Sequence, residues 1–366
     1  MERFDVAVIG GGIAGVSLGC ELAADRSLVL LEQEDQLAVH TTGRSAAVYV
    51  PTYGNEVVRA LTRASRDDFD RIQAAFDTPP LLTPRRLMWL DTVGTPEARA
   101  ALAAHGSPIL EPAEVPRHCP ILRPEAVAGA VVGDAMDIDV MALHAAYVRG
   151  FLARGGRIER SAPAHRIRRL AGRWQVSAGN LDLEAEVVVN AAGAWGDVVA
   201  AMAGAPQVGL QPMRRTLFVT PVEGHDTSAW PLVVDGQERF YFKPEVGSLL
   251  ASPADETPVP PDEHGYDEAD VARALETIDA VTSLELRRVT SAWAGLRTFA
   301  PDRTPVVGDT SAAPGFFWFA GQGGYGIQMA PALARTAAAV LRGEHPPADV
   351  RAEGVTAADL AAARFG

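Results

Sequence analysis

Apolar and polar positions change their period several times along the chain, and each change marks an element. Residues 4–10, FDVAVIG, are a short apolar run of strand length, broken only by Asp5, that ends on glycine. A helical spacing of small and apolar residues follows, and then a second short run, SLVLLE, closes on Glu32. The next stretch, 33–54, is polar and has neither period, which reads as a functional connection. Residues 55–76 return to helical spacing and predict an amphipathic helix, broken by the three prolines of DTPPLLTPRR. LMWLD (87–91) predicts a strand, and the proline-rich segment to about residue 124 predicts loop with short helices. Strand and helix then alternate through AVVGD, MALHAAYVRGFLARGG, a β-rich stretch to VVVNAAG, and AWGDVVAAMAG. RRLAGRWQVSAG predicts a hairpin turning at Ala171 and Gly172.

Residues 207–255 and 282–299 are rich in short strands around a polar helix near 267–279, which predicts an antiparallel sheet facing a ligand. PVVGD, FFWFAG and YGIQMAPALARTAAAVLRG restore the strand and helix rhythm and return the chain to its first lobe. The expected fold is α/β, with a Rossmann-type lobe interleaved with a mixed-sheet substrate domain. Residues 1–76, 140–205 and 300–366 are assigned to the first lobe, and 77–139 and 206–299 to the second.

The opening segment carries chemistry as well as pattern. Gly10 permits a tight turn, Gly12 lets the backbone approach a pyrophosphate, and Gly15 lets the helix pack closely on its strand. The helix N-terminus offers unpaired N–H groups and a positive dipole end to phosphates. Glu32 is placed to accept from ribose hydroxyls and to repel the extra phosphate of NADP. Strand, glycines, helix, strand and acid in this order predict a dinucleotide site.

Composition narrows the partners. A chain of 366 residues with 48% hydrophobic content suffices for two or three domains. A formal charge of −13 argues against nucleic acid or an anionic membrane as partner, so any anionic ligand must be met by locally placed arginines. The two cysteines, Cys20 and Cys119, give neither a disulfide framework nor metal-ligand spacing, and no metal is expected. With the first strand starting at once and no run of 18 apolar residues, a cytoplasmic protein without integral membrane contact is expected.

Five ordered motifs, GGGIAG with Glu32, TTGRSAA (41–47), VVVNAAGAWGD (187–197), WAGLRTFAPDRTPVVGD (293–309) and GQGGYGIQ (321–328), resemble the FAD-dependent amino-acid oxidases and dehydrogenases of the D-amino-acid oxidase fold group. VRALTRASR, LQPMRRT and FYFKP add a likeness to its member D-arginine dehydrogenase. Any one motif alone also fits an ordinary crossover or a capped loop.

The resemblance implies non-covalent FAD, since no cysteine stands near 297–302. It implies flavin contacts from Gly10, Gly12, Ile13, Ala14, Gly15 and Glu32, from Arg44, Ser45 and Ala46, and from Ala192, Gly193 and Trp195. It adds Gly323, Gly324, Tyr325, Gly326, Ile327 and Gln328 beside the isoalloxazine ring. Arg297 and Arg214 would clamp a substrate carboxylate, Tyr241 and Tyr53 would add hydroxyls, and the Gly324 carbonyl would accept from the amine. Leu87, Val48 and Val50 stand where D-arginine dehydrogenase has a glutamate, a histidine and a threonine, which points to an apolar or small substrate side chain.

The expected activity is oxidative deamination of a neutral D-amino acid, by hydride transfer from Cα to flavin N5. The imino acid formed would hydrolyse to a 2-oxo acid and ammonia. Oxidation of glycine or an N-alkyl amino acid such as sarcosine is the alternative enzyme reading, and a flavin-binding subunit of a multi-protein dehydrogenase is the alternative of another class. The electron acceptor, whether oxygen, a quinone or another carrier, is left open by the sequence.

Overall fold

The apolar run after the N-terminus forms the strand Glu2–Ile9, which lies between two parallel neighbours, Leu28–Leu31 and Leu181–Asn190, in a computed structural model that describes residues 1–262 and 264–365. Layers cover both faces of these strands, which is why they are nearly continuous in Val, Ile and Leu instead of alternating. The sheet runs in the order Val306–Asp309, Phe316–Ala320, Leu181–Asn190, Glu2–Ile9, Leu28–Leu31, Arg157–Glu159. A hairpin of Ala164–Leu170 and Arg173–Ala178 extends it from Leu181–Asn190. Its two turn residues, Ala171 and Gly172, both have positive φ (50° and 84°), the backbone that joins twisted strands through two residues.

Helices Ile13–Leu22, Val140–Ala153 and Gly326–Leu341 pack together on one face, where Leu18, Phe151 and Leu333 are fully buried. Trp174, Phe316 and Trp318 fill the other face. The predicted helix over 55–76 is two helices, Glu56–Ala64 and Arg66–Phe76. Ser65 separates them: its hydroxyl donates to the Leu61 carbonyl (2.8 Å) and accepts from the Ala332 N–H (3.0 Å), one residue after Pro331 inside the last long helix.

The second sheet runs Gln322–Gly323, Ser291–Phe299, Gln211–Pro221, Ser248–Ser252, Tyr241–Glu245, Leu232–Asp235, Leu82–Asp91, Gly129–Ile138, Val48–Tyr49. Only the pairing of Leu232–Asp235 with Leu82–Asp91 is parallel, so the sheet is mixed. The strand predicted at 87–91 begins earlier, at Leu82, and contains Pro84. Leu232–Asp235 joins it only from Leu87 onward, so Pro84 sits where the strand is paired on one side and a missing N–H is tolerated. Helix Glu268–Val281 covers the outer face through Val271, Ala274 and Ile278 against Phe218, Phe240 and Phe242. Two short pieces assigned from sequence to the first lobe, Val48–Tyr49 and Gln322–Gly323, pair in this second sheet. Among the described residues no helix is long and apolar enough to cross a membrane, and no cluster of three or more His, Cys, Asp or Glu side chains could hold a metal.

The tightest point of the first lobe lies where helix Ile13–Leu22 crosses the opening strand: a Cβ added at Gly15 would stand 1.9 Å from the Gly10 carbonyl oxygen. Gly15→Ala must push helix and turn apart, and a loss of about 2 kcal/mol or more in denaturant unfolding is expected. Unfolding within 0.5 kcal/mol of the parent, on the order of an ordinary surface change, would contradict this packing.

Candidate active site

One long cavity runs between the two sheets, from Glu32 and Gln33 past the Gly10–Gly12 turn to Tyr53, Leu87 and Tyr241. At its first end the Gly11 N–H donates to Glu32 Oε2 (2.7 Å) and the Glu34 N–H to Glu32 Oε1 (3.0 Å), so the carboxylate is fixed at the mouth of the glycine turn. Helix Ile13–Leu22 starts at Gly12 without a cap from that residue, and its Ile13 N–H goes to Thr42 Oγ1 (3.0 Å). His144 Nε2 lies 2.9 Å from the Gly11 carbonyl. A carbonyl can only accept, so Nε2 carries the proton and the ring braces the turn from behind. Burial pushes the His144 pKa below its ordinary value, against the opposing effect of the Gly11 hydrogen bond and the Glu32 charge.

Further along, Asn190 ends its strand by donating to the Gly196 carbonyl (2.8 Å), which turns Ala192, Gly193 and Trp195 onto the cavity wall. The 41–47 loop is laid on strand Ser291–Phe299: Thr41 donates to the Leu296 carbonyl (2.6 Å) and Arg44 to the Ala294 carbonyl (3.0 Å). Ser45 accepts from the Ala47 N–H (3.0 Å), and Arg44, Ser45 and Ala46 all line the cavity. On the facing wall lie Gly323, Gly324, Gly326, Ile327 and Gln328, at the uncapped start of helix Gly326–Leu341. Gln328 Oε1 accepts from the Val50 N–H (3.0 Å), while its Nε2, Gln322 Nε2 and Thr298 Oγ1 are buried polar atoms without a partner. Three orphaned polar atoms on one wall are rare in a settled core, and they suit the polar edge of the flavin ring that the sequence motifs imply. Together with the helix start at the glycine turn and Glu32 at the far end, this wall fits FAD.

Two residues assigned to the flavin do not line the cavity. Gly15 faces the Gly10 carbonyl and acts in packing. The Tyr325 ring turns away, edge-on to Tyr53 (5.1 Å between centroids) and to Phe299 (6.0 Å), and borders an adjoining cavity instead.

Beyond the glycine wall stands a charged cluster. Arg297 is only 8% exposed; its Nη1 donates to Glu256 Oε1 (3.0 Å) and its Nη2 to the Tyr53 hydroxyl (3.2 Å). A Cβ on Gly324 would stand 1.9 Å from Arg297 Nε and Nη2, so this guanidinium can rest on the turn only because the residue is glycine. The second arginine of the cluster is Arg215, not Arg214. Side chains alternate along strand Gln211–Pro221, so Arg215 and Leu217 reach the cavity while Arg214 reaches the opposite face. There Arg214 is paired with Asp270 (2.6 Å) and Asp255 (3.3 Å), under the covering helix. Arg215 donates to Glu256 Oε1 (3.2 Å) and to the Asp255 carbonyl (2.7 Å), with its guanidinium 5.9 Å from the Tyr241 ring centre. Arg303 reaches both Glu256 oxygens (2.9 and 3.1 Å). Burial would raise the Glu256 carboxyl, but the Arg303 hydrogen bond and the charges of Arg297, Arg303 and Arg215 prevail and hold it below the ordinary carboxylate range. Leu87, Val50, Trp89 and Leu232 make the adjacent wall apolar.

Sequence reasoning missed Arg215, Glu256, Arg303 and Thr42. Period-two alternation offers two candidates at an Arg-Arg pair and selects neither, because the strand's inner face is set by the sheet. Glu256 lies two residues after Ala254, whose φ of +54° turns the chain, and no residue pattern announces that turn.

Comparison with known proteins agrees with this geometry. The model of a family described as FAD dependent oxidoreductase (DAO) matches residues 5–340. Glycine oxidase of Pseudomonas putida is 25% identical, with 94% of this chain and 96% of that protein covered. Mitochondrial dimethylglycine dehydrogenase of Rattus norvegicus is 26% identical over 95% of this chain, which spans only 44% of that longer protein. The fold is similar to the crystal structure of glycine oxidase from Geobacillus kaustophilus, with a TM-score of 0.81, 21% identity, and 94% and 96% of the two chains covered. These relatives support the family and give no support to the narrower likeness to D-arginine dehydrogenase.

The brace on the glycine turn makes a stability prediction. His144 is held neutral in the fold, with a pKa below 6.5, so the unfolded chain binds more protons as pH falls through that value. Stability from this group is present above pH 6.5 and lost below it. Denaturant unfolding at pH 7.5 and pH 5.5 is expected to show a smaller acid loss in His144→Gln than in the parent, by about 1 kcal/mol. Equal losses would remove His144 from this role.

Proposed function

The chain belongs to the DAO family of FAD dependent oxidoreductases, and from that premise we propose that it oxidises the carbon–nitrogen bond of a small amino acid, glycine or an N-alkyl glycine such as sarcosine. FAD is its cofactor. The observation that carries the proposal is Arg297: a buried guanidinium seated directly on Gly324, the turn that opens toward the flavin wall, with an apolar wall beside it. A carboxylate held there brings its own Cα to the boundary between the two. The resemblance to glycine oxidase and dimethylglycine dehydrogenase favours this class over the neutral D-amino acid expected from sequence.

FAD, when bound, supplies acceptance of a hydride from the substrate carbon. The chain supplies position and environment. Arg297 and Arg215 anchor the carboxylate with planar donors, and Tyr53 and Tyr241 contribute hydroxyls beside them. The Gly324 carbonyl is the assigned acceptor for the amine. Leu87, Val50 and Leu232 exclude water from the reacting carbon and leave room for hydrogen or methyl groups in place of a polar chain. Glu32, the Gly10–Gly12 turn, the 44–46 loop, Ala192, Gly193, Trp195 and, without Tyr325, the 323–328 turn would hold the dinucleotide. The imino acid product hydrolyses in water to a 2-oxo acid and ammonia or an alkylamine.

Anaerobic flavin bleaching by glycine, sarcosine, D-leucine and D-arginine tests the substrate class. Glycine or sarcosine is expected to reduce the flavin fastest; a clear lead for D-leucine would restore the D-amino acid reading, and no bleaching by any would sink both. Lysine substitutions then test the clamp, because lysine keeps the charge and loses the planar fork. Arg297→Lys is expected to raise KM by about 30-fold or more, and Arg215→Lys by about tenfold. Arg214→Lys, on the far face, is expected to stay within about threefold in KM while lowering thermal stability. A larger KM effect at Arg214 than at Arg215 would reverse the assignment.

A further inference from the structure

Among the described residues Glu256 is the one carboxylate that touches the arginine cluster, and its oxygen Oε1 is shared by all three guanidiniums: Arg303 at 2.9 Å, Arg297 at 3.0 Å and Arg215 at 3.2 Å. It does not approach from the substrate side. Arg297 and Arg215 line the main cavity, whereas Glu256 and Arg303 line the adjoining cavity, behind Tyr53 and Trp89. The carboxylate thus reaches the clamp from its back.

Its position is fixed by its neighbour. Asp255 accepts from the Thr216 N–H (2.6 Å) and hydroxyl (3.0 Å), and its carbonyl accepts from Arg215 Nε (2.7 Å). That ties the segment to strand Gln211–Pro221 one residue before Glu256. The next two residues, Thr257 and Pro258, pair with Arg214 and Met213. A carboxylate held by flanking backbone on both sides is a built part of the site, not a wandering surface acid.

We propose that Glu256 sets the charge class of the substrate, admitting a single carboxylate and refusing a second. This rests on the amino-acid reading above. Glu256 lowers the charge of the three guanidiniums from three to two and occupies donors of all three, so it stands in the place that a second ligand carboxylate would otherwise take. Arg303, the arginine best placed to take a distal carboxylate, is already committed to both Glu256 oxygens. A dicarboxylic amino acid whose second carboxylate reaches past Tyr53 toward Arg303 therefore meets the Glu256 charge, with Glu238 on the shared wall adding repulsion. Without the Glu256 charge, Arg303 and Arg215 become free to receive that group, and the adjoining cavity gives it room.

Calorimetric binding of acetate and malonate to the FAD-loaded protein tests this without turnover. The parent is expected to bind acetate more tightly than malonate at neutral pH; the reverse preference overturns the proposal even if no variant folds. In Glu256→Gln the malonate-to-acetate affinity ratio is expected to rise by about tenfold or more, and in Glu256→Asp, which keeps the charge, to stay within about threefold of the parent. An unchanged ratio in Glu256→Gln, or a parallel loss for both anions, would reduce Glu256 to a positioning role and overturn the inference. Turnover of glycine against aspartate should follow the same ratios. Failure of every amino acid to reduce the flavin would count against the functional reading, while the two anions would still decide this one.

Discussion

A guanidinium buried between two sheets cannot stand alone, and the arrangement around Arg297 follows from that constraint. Removing such a charge from water costs several kcal/mol unless anions and acceptors surround it. Glu256 and Tyr53 meet that need from one side, and the open edge toward the cavity is where a ligand carboxylate can add to it. The same demand reaches the backbone. Only a residue without a side chain can lie beneath Arg297, so the Gly324 turn and the arginine occupy a single shared space. The glycine wall and the Arg297 cluster are consequently one structure, and neither can shift without the other.

The dinucleotide half of the site was legible because its chemistry is local. Gly10, Gly12, Gly15 and Glu32 act through backbone conformation and short-range spacing, which a linear sequence displays directly. The parallel core strands were equally plain, since burial on both faces leaves long apolar runs such as Leu28–Leu31. Gly324 and Arg297 were found through motif order, and they converge although 27 residues separate them.

What could not be read depends on which face of a strand looks inward. Arg214 and Arg215 are identical residues side by side, and their roles are exchanged by a shift of one position in a register that Ser291–Phe299 and Thr257–Pro258 fix from far away in sequence. Ser65 is similar: nothing in 55–76 forbids one continuous helix, and the break arises because the Ala332 N–H from another helix needs its hydroxyl. Glu256 belongs to the same class, an acid given meaning by three arginines drawn from two strands and a loop.

The pairing of Val48–Tyr49 and Gln322–Gly323 into the second sheet bears on how ligands travel. Each strip continues directly into the first lobe, so the chain stitches the halves together at both margins of the cleft. A clamshell rotation would have to tear ladder hydrogen bonds at two seams at once. Passage without such tearing needs a local opening, and the 51–54 turn carrying Tyr53, which belongs to no ladder and is tied to the cavity through the Tyr53 hydroxyl on Arg297, is a place where one could form.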